Sequence, residues 1–260
     1  MKIVTLVKHV PDATGNREFD DDGTVDRESA DGLLSELDEY AVEQALRVGE
    51  AGHDVEIIAL TMGPDDAADA IKKALQMGAH AGVHINDDDI HGSDALATSK
   101  ILAAAITKIA PDLVICGMAS TDGNMGVLPA MLAERLGWPA ATFGVDLAVE
   151  NNVVSIRRDG DIASQRIEAQ LPAIVSVTDQ SGEARYPSMK LIMAAKKKKV
   201  DEWDLDDLGI DADEVGLGAA ATKVTSTTER PPKAAGRIVT DADGSGAAEL
   251  VEFLSAGKYL

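Results

Sequence analysis

Cysteine is almost missing from this chain: Cys116 stands alone, so no intramolecular disulfide is available and a reducing compartment is expected. It closes an apolar run, where a small buried hydrophobe is the default, and no base lies nearby in sequence to activate it. Aromatic residues make up only 3%, so the core has to be built from Ala, Val, Ile and Leu. Basic residues are outnumbered, 24 against 45 acidic ones, for a formal net charge of -21. A field of that sign repels nucleic acid and anionic lipid, which removes both as expected partners. The acids are dispersed in short runs such as Asp20–Asp22 and Asp87–Asp89, the pattern of a solvated surface adapted to high salt, and a halophilic source is expected. No apolar run approaches membrane-spanning length. The opening MKIVTLVKHV lacks the features of a secretory signal. A cytoplasmic protein without direct membrane insertion is the expectation.

Chemical motifs are equally sparse. There is no GxGxxG and no GxxxxGK[ST], so neither the Rossmann fingerprint nor the P-loop applies. His9, His53, His80, His84 and His91 fall at no metal-ligand spacing, and no HExxH, Ser-His-Asp order or paired-carboxylate motif stands out. No catalytic residue, no metal site and no turnover chemistry of its own are expected.

What the chain does have is a strand–loop–helix unit over Asp112–Gly137. Leu113–Cys116 reads as a buried strand, Gly117 opens a polar loop, and Leu128, Leu132 and Leu136 mark the inner face of a helix closed by Gly137. First-turn N–H groups and the helix dipole make such a turn an anion cradle, and Gly117, Gly123 and Gly126 leave room for close backbone approach. An ordinary α/β connection that binds nothing is an equal reading of this unit taken alone.

The flanking sequence strengthens the case for a ligand. Lys2–Lys8, Val55–Met62 and Ala81–Ile85 read as further strands. His9–Arg27 reads as a long loop or small hairpin broken by Pro11, Gly15 and Gly23. Helices are expected with a capping box Ser35–Asp38 and a stripe Leu34, Leu37, Ala41, Ala45, Val48; from Pro64 to Met77; and after a cap at Ser93. Alternating strands and helices predict an α/β fold with a doubly wound, mostly parallel sheet of the adenine-nucleotide-binding, Rossmann-like kind. His9, Met62 and Gly117 each follow a strand, so they converge on one crevice beyond the carboxyl ends.

From Ala140 the rhythm changes. Phe143–Val149, Val153–Arg157, Ser164–Ala169 and Ala173–Thr178 read as successive β additions, followed by a polar loop and a short helix over Ser188–Ala195. The run Lys196–Lys199 reads as a solvated face or a docking patch for an acidic partner. Residues 1–199 are expected to form the nucleotide domain. Residues 200–260 are expected to form an extended C-terminal arm, ending in an amphipathic helix over Gly246–Ser255, that docks on a partner.

Several segments taken together resemble the beta subunit of electron transfer flavoprotein over essentially the whole length. They are VKHVPD (Val7–Asp12), DEYAVEQAL (Asp38–Leu46), MGP (Met62–Pro64), ALQMGA (Ala74–Ala79) and GMASTDGNMGVLPAMLAERLGWP (Gly117–Pro139), then QLPAIVSVTD (Gln170–Asp179), ARYPSMKLIMAAKKKK (Ala184–Lys199) and DLG (Asp207–Gly209). The resemblance implies a heterodimer whose alpha subunit carries most of an FAD site, while this subunit holds AMP without redox chemistry. The family's AMP site maps onto Leu6, Leu34, Met62 and the loop Gly117, Met118, Ala119, Ser120, Thr121, Asp122, Gly123, Asn124, Met125, Gly126, Val127 and Leu128. Leu34 stands where the family often has Asn, Val127 where Gln is common, and the glycine-rich signature turn reads Asp159–Ile162. Backbone contacts survive the first two changes.

A recognition loop over about residues 179–199 is implied for partner binding, with Arg185, Tyr186, Met189 and Lys196, Met189 being its protruding anchor. Electrons would pass from acyl-CoA and other dehydrogenases of fatty acid oxidation to the shared FAD, then to electron transfer flavoprotein–quinone oxidoreductase. Electron-bifurcating relatives offer an alternative, in which this subunit holds a second FAD that accepts hydride from NADH. A stand-alone adenine-nucleotide-binding regulator is a further alternative, which leaves Arg185–Lys199 and the tail unexplained.

Overall fold

The computed structural model describes residues 1–15, 18–27, 29–228, 231, 236–241 and 244–260. Parts of the first long loop (16, 17 and 28) and of the expected arm (229, 230, 232–235, 242 and 243) therefore lie outside the described residues. Two compact units are present, residues 1–225 and 226–260.

The first unit opens with β1 (Lys2–Leu6), the short β2 (His9–Pro11) and β3 (Gly32–Leu34), then α1 (Glu36–Glu50), β4 (Glu56–Met62), α2 (Ala68–Met77), β5 (Ala81–Ile85), α3 (Ala95–Ile109), β6 (Leu113–Gly117) and α4 (Leu128–Leu136). It continues through β7 (Ala140–Gly144), β8 (Asp146–Glu150), β9 (Val153–Asp159), β10 (Ser164–Gln170), β11 (Ala173–Val177), α5 (Met189–Ala195), β12 (Val200–Trp203), α6 (Leu205–Leu208) and α7 (Gly216–Ala219). The second unit carries α8 (Gly246–Ala256).

Seven strands form one sheet in the order β12-β5-β4-β1-β6-β11-β7, and every pairing in it is parallel. The expected doubly wound α/β fold is borne out. Parallel strands covered on both faces need continuous apolar runs. β6 (LVICG) and β11 (AIVSV) are buried at every position. On one face α1, α2 and α5 enclose Ile3, Val42, Ile57, Ile71 and Ile115; on the other α3, α4 and α6 enclose Val4, Leu60, Ile101, Ile106 and Leu132. The side chains are aliphatic, as the shortage of aromatics requires. An antiparallel sheet β10-β9-β8 adds Val149, Val154 and Ile156 to the first layer.

Several local expectations change. Ser35 makes no side-chain cap, and its buried Oγ has no partner; Asp38 turns inward instead of forming a capping box. The cap of α3 is Asp94, not Ser93: its carboxylate accepts the N–H groups of Leu96 and Ala97. Leu34 lies in β3, paired with His9, and not at the head of the helix. The single strand expected over Phe143–Val149 is two: β7 ends at Gly144, the chain bends at Val145, and β8 begins at Asp146. β12, placed by sequence in the arm, is an edge strand of the main sheet. In the second unit, α8 exposes Leu250, Val251 and Phe253, and Arg237 pairs with Glu249.

Candidate functional site

β1 is followed in sequence by β4 on one side of it, whereas β6, on its other side, comes only after β5. The chain therefore reverses its winding direction between β1 and β6. Loops leaving the carboxyl ends of two such strands diverge to opposite faces and open a crevice, the usual ligand position in open α/β sheets. The residues just beyond those ends are Val7 and Lys8 on one side and the loop from Met118 to Val127 on the other.

A charge cluster sits in that position. Asp122 of the β6–α4 loop receives Lys8 Nζ at 2.9 Å and Arg27 Nη2 at 2.6 Å. It also accepts the N–H of Gly123 at 2.7 Å. Its carboxylate is only 3% exposed. Burial alone would raise the Asp122 pKa, but the Lys8 charge and the hydrogen bonds from Lys8, Arg27 and Ser120 outweigh it and hold the group well below the ordinary carboxylate range. Two cations against one carboxylate give this three-residue cluster an excess of positive charge in a strongly acidic protein.

Beneath it lies a second carboxylate. Asp38, in the first turn of α1, accepts the backbone N–H of Lys8 at 2.9 Å and is hydrogen-bonded by that of Gly117. Burial pushes its pKa up from 3.8 to about 7, and the two amide donors, which favour the charged form, do not offset this. Gly117 has no room for a side chain: a Cβ there would stand 2.6 Å from Asp38 Oδ1 and 2.8 Å from the Leu37 carbonyl oxygen. This glycine is required for helix–strand packing, whatever approach its backbone also offers a ligand. Gly123 and Gly126 differ. A Cβ on Gly123 meets only Ser120 Oγ at 3.3 Å and Lys8 Nζ at 4.0 Å, and Gly126 turns the chain with a φ of 64°.

The remaining residues expected to bind a nucleotide fall into two groups. Leu6 and Met62 end β1 and β4, next to the mouth, and Leu128 starts α4; all three belong to the α3–α4 side of the sheet. Met118, Ala119, Ser120, Thr121, Asn124, Met125 and Val127 lie along the loop, with Met125 and Val127 exposed on its rim. Leu34 is the exception: its side chain is buried in the opposite layer with Val7 and Ala41. The N–H groups at the start of α4, at Leu128 and Ala130, have no carbonyl within the helix. With the open approach at Gly123 and the positive cluster, this donor set fits an anionic group such as a phosphate.

Sequence alone missed Lys8, Arg27 and the inward role of Asp38. Lys8 was visible as the basic residue closing β1. Arg27 carried no local signal, because its partner is 95 residues away. Two histidines serve the backbone: buried His84 Nε2 meets the Gly63 carbonyl at 2.9 Å, and the ring of exposed His80 accepts the N–H of Ile57 at 3.0 Å. Burial pushes the Cys116 thiol far up, which keeps it protonated and inert. Among the described residues no cluster of three or more His, Cys, Asp or Glu could hold a metal, and no helix is long and apolar enough to cross a membrane.

A second surface lies around α5. Tyr186 and Met189 protrude, 93% and 74% exposed, with Met193 and Lys196 also exposed. Arg185, expected beside them as a contact residue, is 30% exposed at its side chain and also paired within the chain. It donates through Nε to Glu43 at 2.7 Å and through Nη1 to Glu50 at 2.7 Å, pinning the loop to α1. The four-lysine run is likewise divided: Lys198 turns inward to the carbonyl oxygens of Leu75 and Ala79, and Lys199 pairs with Asp201.

Comparison with known proteins decides the family. The model of the electron transfer flavoprotein domain matches residues 22–208. The chain belongs to the electron transfer flavoprotein family. It is 45% identical to the electron transfer flavoprotein subunit beta of Mycobacterium leprae, with 99% of each chain covered. The subunit beta of Megasphaera elsdenii is 30% identical over 100% of both chains. Subunit CarD of the caffeyl-CoA reductase-Etf complex of Acetobacterium woodii is 31% identical over 92% of both. The chain is an electron transfer subunit of the beta type, as its motifs implied.

Proposed function

We propose that this chain pairs with an FAD-carrying alpha subunit and holds a structural AMP in the crevice between β1 and β6. The observation carrying the nucleotide reading is the cluster of Lys8, Arg27 and Asp122 at the winding reversal, in the loop that leads into α4. When bound, flavin supplies the electron-carrying chemistry. This chain's own residues supply binding: the 117–128 loop takes the phosphate, Leu6, Met62 and Leu128 offer apolar contact, and Lys8 and Arg27 balance charge. No proton transfer or nucleophilic step is assigned to them.

The α5 surface is proposed to receive acyl-CoA and other dehydrogenases, with Tyr186 and Met189 as apolar anchors. Electron transfer flavoprotein–quinone oxidoreductase is the proposed acceptor. Of the arm expected over residues 200–260, the second unit, 226–260, is proposed to dock on the alpha subunit, for which the exposed apolar residues of α8 speak. A cytoplasmic location and adaptation to high salt are part of the same proposal. The salt adaptation rests on the charge of -21, and it requires unfolding on dilution into low salt.

A second reading gives the crevice a second FAD that accepts hydride from NADH. The similarity to CarD, a subunit of a caffeyl-CoA reductase-Etf complex, keeps it in play. Co-expression with the alpha subunit, denaturation and chromatography of the released nucleotides separates the two. One FAD plus one AMP per heterodimer is the expected result. Two FAD establish the second reading, and no nucleotide beyond a single FAD overturns both.

A further inference from the structure

Residues 18–27 form a small closed hairpin between β2 and β3. Phe19 bridges Val25, Asp20 N donates to Thr24 O, and Asp26 N donates to Glu18 O. At its base Arg27 donates to the His9 carbonyl at 3.1 Å and to Asp122 in the loop after β6 at 2.6 Å. At its tip Asp22 Oδ2 meets His91 Nε2, in the turn after β5, at 2.8 Å. Beside that contact Gly23 lies against Val224; a Cβ on Gly23 would come within 3.1 Å of it.

β5 and β6 are not neighbours in the sheet, because β4 and β1 lie between them. At the usual strand spacing the two anchor points are separated by about 14 Å. A segment fastened beyond both outer strands must cross the carboxyl ends of the two inner ones. Those ends carry Met62 and Leu6, the floor of the proposed nucleotide crevice.

We infer that residues 18–27 are a strap closed over the crevice, with Arg27–Asp122 and Asp22–His91 as its two clasps, and that its opening limits the entry and exit of the adenine nucleotide. The inference rests on the nucleotide reading above. Arg27 is thus a positioning residue: it holds Asp122, and through it the phosphate loop, against the strap. The clasps are unequal. Asp122 is buried, so losing Arg27 leaves a desolvated charge with Lys8 as its remaining cationic partner. Asp22 and His91 are more exposed, and water replaces their contact at lower cost.

A strap differs kinetically from a direct ligand. Removing a ligand group speeds release alone, whereas opening a strap speeds binding and release together and moves affinity less than either rate. The test uses the heterodimer with its alpha subunit, in wild-type, Arg27→Gln, Arg27→Lys and His91→Gln forms. Each is loaded with labelled AMP, or with FAD where denaturation of the wild type releases FAD from this subunit, and chased with the unlabelled compound. Release is expected to accelerate about tenfold in Arg27→Gln and about threefold in His91→Gln, with binding accelerated alongside and Arg27→Lys intermediate. His91 is the discriminating position, because it follows β5, with two strands between it and the β6 that leads into the phosphate loop. Acceleration in Arg27→Gln alone, or faster release with unchanged binding, overturns the strap. So do wild-type rates in both glutamine variants. A wild-type heterodimer that yields no nucleotide from this subunit overturns the nucleotide reading itself, and the strap with it.

Discussion

Asp38 Oδ2 accepts the backbone N–H of Lys8 at 2.9 Å, so one carboxyl group on α1 ties down the exit of β1, and through the Gly117 amide the exit of β6 as well. The two strand ends that frame the crevice, paired in the sheet up to Thr5 and Ile115, are joined beyond the ladder by a side chain that titrates near neutrality.

That titration has a direction. The Asp38 pKa rises from 3.8 to about 7 on folding, so the native state keeps its proton at pH values where the unfolded chain has lost it. The stabilisation is fully present below about pH 4, declines as pH rises from there to about 7, and is flat above; its full size is about 4 kcal/mol. Urea unfolding of wild type and Asp38→Asn across pH 4–8 measures it. The wild type is expected to lose about 4 kcal/mol relative to the variant over that window. A difference independent of pH would assign the proton elsewhere.

Gly117→Ala places a methyl group 2.6 Å from Asp38 Oδ1 and 2.8 Å from the Leu37 backbone. Backbone on one side and a buried carboxyl on the other leave it no flexible neighbour to displace, so a loss of about 1–3 kcal/mol is expected. Gly123→Ala, facing Ser120 Oγ at 3.3 Å and Lys8 Nζ at 4.0 Å, is expected to fold with wild-type stability and to weaken nucleotide binding. Denaturant midpoints and nucleotide content separate the two. Equal destabilisation by both would contradict the packing role given to Gly117.

Glu43 is 5% exposed at its side chain and receives both Arg185 and Arg47. Burial opposes its charge, but the hydrogen bonds from Arg185 and Arg47 prevail and hold its pKa below the ordinary value. Arg185→Ala leaves this carboxylate short of its main partner, with an expected cost of about 2 kcal/mol, part-buried pairs falling below the buried range. The loop around Tyr186 should detach from α1, which limited proteolysis reports as new cleavage between residues 182 and 188. Unchanged digestion would show that α5 alone presents Tyr186 and Met189.

Met189→Ala removes an exposed anchor without touching the crevice. Reduction of the heterodimer by an acyl-CoA dehydrogenase is expected to slow roughly tenfold, with flavin content and heterodimer assembly unchanged. Dehydrogenase kinetics equal to wild type would remove the docking role of this surface.

Much of the scaffold was legible because its signals are local. Unbroken apolar runs such as LVICG mark β6, and the αL glycine at 137 marks the end of α4, so strand and helix positions follow from neighbours a few residues apart. The signals that failed are those in which a distant partner overrides local preference. Ser35 and Asp38 match a capping box, but the chain needs Asp38 to fasten two strand ends, and Lys8 and Gly117 win over the cap. Arg185 likewise carries no local sign of its pairing with Glu43, 142 residues earlier. Arg27 and Asp122 share no periodicity that a sequence displays, so the charge at the mouth of the crevice became visible only in three dimensions.

The order in which the chain is made gives β12 a particular importance. β5 is the outermost strand of its half of the sheet until Val200–Trp203 pairs alongside it, and those residues leave the ribosome after nearly everything else in the sheet. During synthesis, the unpaired N–H and C=O groups of β5 are therefore open to pairing with another nascent chain. β12 closes that edge with Asp201 and Glu202, whose like charges discourage a further strand from adding to it. A chain cut at residue 199 keeps every residue proposed here to hold the nucleotide, yet leaves the β5 edge open to self-association.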